Sequence, residues 1–202
     1  MLSELQLELK KQLERFCADV IEPHMEEDDK NENFRMDIFN KIGELGLSGV
    51  TLPEQYGGAG LSYQDLCVVL AELAKSSVSY AVTVSVSTMA QAILNEYGSE
   101  DQKSKYLPAL TSGEEIGAFA LSESHSGSDA AALKTTAKKV EGGYLLNGTK
   151  MWITSAGIAK TYIVMARTGQ EGHKGISAFI VRDGDEGFSY GKKEQKMGWK
   201  VS

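Results

Sequence analysis

The chain has 202 residues, 42% hydrophobic and 24% charged, with 21 basic against 28 acidic side chains and a formal net charge of −7. That length and balance suit one large domain or two small ones with a packed core, and they argue against wholesale disorder and against a general nucleic-acid binder. No run approaches the ~18–20 apolar residues of a membrane span, and Cys17 and Cys67 form no CxxC pair and no cluster with the scattered histidines, so a reducing compartment and no metal site are expected.

Leu2, Leu5, Leu9, Leu13, Phe16 and Val20 recur every three or four residues, which predicts an amphipathic helix docked on its own core. Glu4 and Glu8 interrupt any secretory apolar run, so no signal or transit peptide is read and a cytoplasmic, bacterial-type location is expected. An acidic loop over 26–29 precedes a second helix over 36–45, with Gly46 as its stop. The run from Pro53 to Gly60 reads as a glycine-rich turn, and Ser62 or Tyr63 opens a third helix through Leu66, Val69, Leu70 and Leu73. Residues 78–86 alternate like a strand yet run on into 89–94 without a turn residue, and the pattern leaves strand and helix evenly balanced. Ser99 with Gln102 forms a capping box for a helix that ends near Gly113.

Beyond residue 113 short apolar runs over 116–121, 133–140, 144–146, 151–154, 161–166, 175–181 and 188–190 alternate with Gly/Asp turns. Asn147–Gly148 reads as a hairpin turn. The predicted fold is therefore α+β, with an all-helical domain over 1–112 followed by an antiparallel β-sandwich or barrel over 113–202. The last residues, Gly198 to Ser202, read as a chain cut within a sheet, so the second domain is expected to be incomplete.

Two segments carry candidate chemistry. Phe119 to Asp129 runs from an apolar strand into a hydroxyl-rich loop that could hold an anion or a polar ring edge. On composition alone a cap by Ser128 or Asp129 on the Ala130–Ala132 turn is favoured. In Lys150 to Ala156, Trp152 and Thr154 would share one face of a strand and meet one ligand together, with a buried core Trp as the alternative. No GxSxG, GxxxxGK[ST] or GxGxxG motif occurs.

The order and spacing of Ala120-Leu121-Ser122-Glu123, Ser126-Gly127-Ser128-Asp129 and Leu146-Asn147-Gly148-Thr149-Lys150-Met151-Trp152-Ile153-Thr154 resemble the acyl-CoA dehydrogenase family. Leu52 to Gly58 and Lys105 to Pro108 resemble its N-terminal helical domain, and Lys174 to Phe179, Gly191 to Glu194 and Gly198-Trp199 its middle β-domain, so the likeness covers essentially the whole chain. The resemblance implies a flavoprotein oxidoreductase of fatty acid or branched-chain amino acid catabolism, nearest to short and branched-chain members. It implies FAD-dependent oxidation of an acyl-CoA thioester to the trans-2-enoyl-CoA, with an electron-transfer flavoprotein as acceptor and a homo-oligomeric enzyme, dimer or tetramer. By matching motif positions, Phe119, Leu121, Ser122, Ser128, Trp152, Ile153 and Thr154 are the implied FAD contacts, and Ser128 also the contact to the CoA part of the substrate. The stretch matching Tyr80 to Tyr97 is implied to be a helix facing the acyl chain, with Ser85 widening the pocket.

Two departures stand out. Ser124-His125 stands where the family loop usually has Pro-Gly or a similar pair after the Glu, which removes proline's rigidity at Ser124. The family's C-terminal helical bundle, which carries the catalytic Glu, has no match here, so the base is expected beyond Ser202, Glu123 is not that base, and the isolated chain is expected to be inactive. Two other readings are a non-catalytic flavin-binding or assembly module and an acyl-CoA oxidase-type enzyme on the same scaffold.

Overall fold

The computed structural model describes residues 2–170 and 172–202. Six helices come first: α1 (Glu4–Phe16), α2 (Glu22–Asn31), α3 (Met36–Glu44), α4 (Tyr63–Ser76), α5 (Val78–Tyr97) and α6 (Glu100–Thr111). Capping boxes at Ser3/Gln6, Ser62/Asp65 and Ser99/Gln102 fix the starts of α1, α4 and α6 by satisfying amide groups that the first turn leaves free. Only the C-terminal half of the predicted apolar stripe on α1 docks. Leu13 is buried, Leu9, Phe16 and Val20 are half-buried, and Leu2 and Leu5 face solvent.

The segment 26–29 is not a loop. A π-type turn (Cys17–Ile21) continues α1 into α2, Pro23 presets the first turn of α2, and the helix runs through the acidic residues. Asp28 is buried there, accepting from Asn33 Nδ2 at 3.0 Å and Arg35 Nε at 2.6 Å. These partners hold its carboxyl below the ordinary aspartate value although burial alone would raise it.

Five strands follow: β1 (Gly117–Ala120), β2 (Thr136–Val140), β3 (Gly143–Asn147), β4 (Thr161–Arg167) and β5 (Ile176–Arg182). β5 lies antiparallel along one edge of β4. The other edge is shared, its first half by β1 in parallel and its end, at Arg167, by β2. Among the described residues β3 pairs only with β2, antiparallel. The α+β organisation stands, but the sheet is mixed and open rather than an antiparallel sandwich or barrel. The reason lies in the connection: the chain leaves β1, makes the β2–β3 hairpin and returns by a loop, a crossover long enough to bring β4 back parallel to β1.

Three local readings also change. The hairpin turns at Glu141-Gly142, with Gly142 at φ +80°, and not at Asn147–Gly148. Gly148 instead lies so close to Thr135 that a β-carbon would meet its backbone Cα at 2.7 Å. Residues 151–154 and 188–190 form no strand.

One apolar core joins both regions. Leu13, Phe39, Ile42, Val69, Leu73, Tyr80 and Val84 from the helices pack with Ile116, Ala118, Ala120, Tyr162 and Val164 from the sheet side. Each fully buried Phe or Leu there contributes roughly 1.5–3 kcal/mol. Polar groups of α5 tie it to its surroundings: the Gly117 amide at the start of β1 donates to Ser87 Oγ at 3.1 Å, and Gln91 Nε2 donates to the Ser48 carbonyl, in the turn after α3, at 2.9 Å. No helix among the described residues is long and apolar enough to cross a membrane, and none of them form a cluster of three or more His, Cys, Asp or Glu able to hold a metal.

Candidate functional site

β1 ends at Ala120, and the chain then enters the tight loop 121–129. Within it Glu123 and Ser126 exchange backbone hydrogen bonds of 2.7 and 3.1 Å, and Ser126 Oγ donates to the Asp129 carbonyl at 2.7 Å. The 150–154 segment lies directly against this loop. The Met151 amide donates to the Ser122 carbonyl at 2.9 Å, so two stretches almost thirty residues apart become neighbours. Ser122 and Trp152 are thereby brought to one place.

Two side chains fasten this junction. Glu123 is almost fully buried, and its carboxylate accepts from the Lys134 amide at 2.7 Å, the Thr135 amide at 2.9 Å and Lys150 Nζ at 2.8 Å. Lys150 Nζ also donates to the Leu121 carbonyl at 2.9 Å. Burial alone would raise the Glu123 carboxyl, but the hydrogen bonds from Lys150, Thr135 and Lys134 override it and hold the group at about 2. Burial draws the Lys150 ammonium below the ordinary lysine value, against the pull of the Glu123 charge. His125 Nε2 stands 3.6 Å from Glu123 Oε2, with a partly exposed ring.

Trp152 is not a core residue. The residue is 65% exposed. Its backbone is left-handed at φ +56°, and Ser155 follows at φ +66°. Such conformations are uncommon for residues other than glycine and cluster at ligand-binding sites. The left-handed turn is also why 151–154 cannot continue as a strand, so Trp152 and Thr154 do not share a face by strand alternation. Ile153 packs against the main core and anchors the turn between them. Thr154, Ser122, Leu121 and Phe119 are half-buried, while Ser128 is exposed. Asp129 does cap the short 3₁₀ turn Ala130–Ala132 by position, but neither it nor Ser128 makes a side-chain cap hydrogen bond.

The structure thus brings Leu121, Ser122, Trp152, Ile153 and Thr154 together around the Met151–Ser122 bond. Phe119 stands two residues upstream on β1, and Ser128 at the far end of the loop. Sequence reasoning missed Glu123 and Lys150 as builders of this site. Their signal was present, since each lies inside one of the two motifs, but an ion pair between segments 27 residues apart leaves no local pattern. The orphaned hydroxyl of Ser155, buried without a hydrogen-bond partner, adds a further polar group beside Thr154. An exposed indole, hydroxyl groups and free loop amides suit a flat heteroaromatic ligand with a polar edge.

Residues 3–114 match the pattern described as "Acyl-CoA dehydrogenase, N-terminal domain" and residues 118–201 the one described as "Acyl-CoA dehydrogenase, middle domain". The chain is 42% identical over 206 residues to the mitochondrial isovaleryl-CoA dehydrogenase of Arabidopsis thaliana, covering 100% of this chain and 50% of that protein. It is 41% identical to the mitochondrial isobutyryl-CoA dehydrogenase of Bos taurus, with 98% and 48% covered. Butyryl-CoA dehydrogenase from Megasphaera elsdenii superposes with a TM-score of 0.93 at 36% identity, covering 100% of this chain and 54% of that one. The FAD complex of PigA superposes at 0.91 with 30% identity, covering 97% and 52%. The chain therefore spans about half the length of the curated relatives it matches.

Proposed function

Because the chain belongs to the acyl-CoA dehydrogenase family, we propose that it serves FAD-dependent α,β-dehydrogenation of an acyl-CoA thioester to the trans-2-enoyl-CoA. The observation that carries this reading is the junction of the two motif segments at the Met151–Ser122 bond beneath an outward-facing Trp152. The residues fit a flavin: an uncovered indole in a strained turn offers a ring-sized wall, and Ser122 and Thr154 flank it with hydroxyls.

When bound, FAD supplies the acceptor for the hydride that leaves the substrate β-carbon. The chain's own residues do the rest. Trp152 covers one face of the ring system and keeps water from the reacting atoms. Ser122 and Thr154 would offer hydroxyl donors to the polar ring edge, where negative charge develops on reduction. Phe119, Leu121 and Ile153 form the apolar wall around that edge, the last through a turn anchored in the core. Ser128, exposed at the end of the loop, would meet the phosphate side of FAD and the CoA part of the substrate. Glu123 is unsuited as the base that takes the α-proton. A general base works best with a pKa near the operating pH, whereas this carboxylate sits at about 2 with its oxygens engaged. No other residue of this chain is assigned that role.

The substrate we propose is a short or branched acyl-CoA, as the named relatives suggest, with an electron-transfer flavoprotein as acceptor and a homo-oligomeric assembly. We place the division between helical and β-domains at 112/113. Cys17 and Cys67 are both free, which fits the cytoplasm.

FAD titration tests the site. Trp152→Gly should abolish most quenching of protein fluorescence by FAD and weaken flavin binding. It should leave the melting temperature unchanged or higher, because glycine relieves a left-handed conformation that costs about 1–3 kcal/mol. Undiminished FAD binding by Trp152→Gly refutes the placement.

A further inference from the structure

We propose that Lys150, acting with Glu123, is the positioning residue that sets the Trp152 indole in its outward, left-handed pose. Trp152's ring is largely exposed, so packing does not hold it, and none of the described residues pairs with it as an aromatic or hydrogen-bond partner. The pose must be imposed through the backbone on either side. On the C-terminal side Ile153 is seated on the core. On the N-terminal side Lys150 and Met151 are tied to the 121–123 loop by three bonds: Nζ to the Leu121 carbonyl at 2.9 Å, Nζ to Glu123 Oε1 at 2.8 Å, and the Met151 amide to the Ser122 carbonyl at 2.9 Å. Glu123 in turn grips the amides of Lys134 and Thr135, where β2 begins. Three chain segments therefore converge on two side chains that are only 10% and 4% exposed.

Stability alone gives a poor account of this arrangement. Desolvating an ion pair commonly cancels its attraction, and a packed apolar pair would often hold as well. An apolar pair would leave the Leu121 carbonyl and the 134 and 135 amides without partners, and would fix no direction. The ammonium and carboxylate do fix one. They set the distance between the Ser122 loop and the residue two positions before Trp152. With Lys150 released, the 150–152 backbone can relax out of the left-handed region, which costs about 1–3 kcal/mol to occupy, and the indole swings with it.

The ligand that Trp152 meets rests on the flavin reading above; the positioning does not. The test uses a Trp199→Phe background, which leaves Trp152 as the only tryptophan of the two in the chain. Lys150→Met and Lys150→Gln should keep the parent far-UV circular dichroism but lower Trp152 fluorescence anisotropy, raise its quenching by acrylamide, and weaken FAD binding by about tenfold, equivalent to 1.4 kcal/mol. Lys150→Arg, which retains donors for both acceptors, should restore most of the anisotropy and FAD affinity. Leu13→Ala, a core change at the helical end, should lower the melting temperature without moving Trp152 anisotropy. Should Lys150→Met fail to fold, Lys150→Gln decides in its place. Unchanged Trp152 anisotropy and quenching in the Lys150 variants overturns the proposal, as does an equal change in Leu13→Ala. If the parent binds no FAD yet the fluorescence changes occur, the flavin reading falls and the positioning role stands.

Discussion

Protonating Glu123 should remove a defined part of the folding free energy in a defined pH window. The carboxyl is 4% exposed and is held at about 2 against an ordinary value of 4.5. A depressed carboxylate stabilises the fold fully above its unfolded pKa and loses that contribution as the pH falls through its folded value. The window therefore runs from about pH 5 down to about pH 2, and the difference amounts to about 3 kcal/mol. Lys150 stays protonated throughout, so the carboxylate alone titrates within the pair. Asp28 and Glu115 are depressed as well, by Arg35 and Arg182, so absolute acid stability mixes several groups. Comparison with Glu123→Gln removes them, since both proteins carry them alike. Urea unfolding at pH 6 should find Glu123→Gln less stable by about 3 kcal/mol or more, because a neutral amide leaves the buried Lys150 without its counter-charge and turns an N–H group toward either the 134 amide or the 135 amide, which bond different oxygens of the carboxylate. At pH 3 that gap should shrink by more than half. A gap that stays constant from pH 6 to pH 3 would refute the claim that this carboxylate is charged and hydrogen-bonded in the folded state.

Two further substitutions probe contacts remote from the flavin slot. Gly43 on α3 lies so close to the 112–113 backbone that a β-carbon would stand 2.7 Å from the Gly113 Cα, closer than real contacts allow. Gly43→Ala should therefore cost about 2–3 kcal/mol or more in thermal or urea unfolding, through overpacking that no rotamer change relieves. Arg182 on β5 grips Glu115 with bonds of 2.6 and 2.7 Å and stacks over Tyr106 at 5.6 Å, joining the start of β1 to the last strand and to α6. Arg182→Lys keeps the charge but loses the fork and the planar stack, so it should lower stability by about 1–2 kcal/mol; an unchanged urea midpoint would count against the two-point bond.

Helix starts were legible because capping is local. Ser62 with Asp65 and Ser99 with Gln102 sit three residues apart and bond within one turn. Residues 78–86 were ambiguous for an equally physical reason. Burial along helix α5 does follow the helical period, but the covered positions include Ser79, Thr83 and Ser87 while the apolar Val78 and Met89 are exposed, so hydrophobicity does not trace that period. A β-carbon on Gly117 would come within 3.0 Å of the Ala90 β-carbon, and that close approach explains the small residue at position 90. Parallel pairing of β1 with β4 could not be read from short apolar runs, since run length carries no strand direction.

The same division governs the site. Residue types at the slot were visible in the two motifs, but the pose of Trp152 was not, because it depends on a left-handed turn and on bonds that join positions 121–123, 134–135 and 150–151. A strand reading of 151–154 puts Trp152 and Thr154 on one face by alternation, whereas the turn seats Ile153 against the core and leaves the indole exposed. A Trp152→Phe variant separates the two views. In the turn, phenylalanine keeps an exposed ring in the same pose, so stability should stay within about 0.5 kcal/mol while the smaller wall weakens flavin binding. Were the residue packed within a strand, the lost volume would open a cavity and the melting temperature would fall clearly. Calorimetry of this one variant beside an FAD titration therefore tests whether the ring stands outside the core, as a wall for a ligand must.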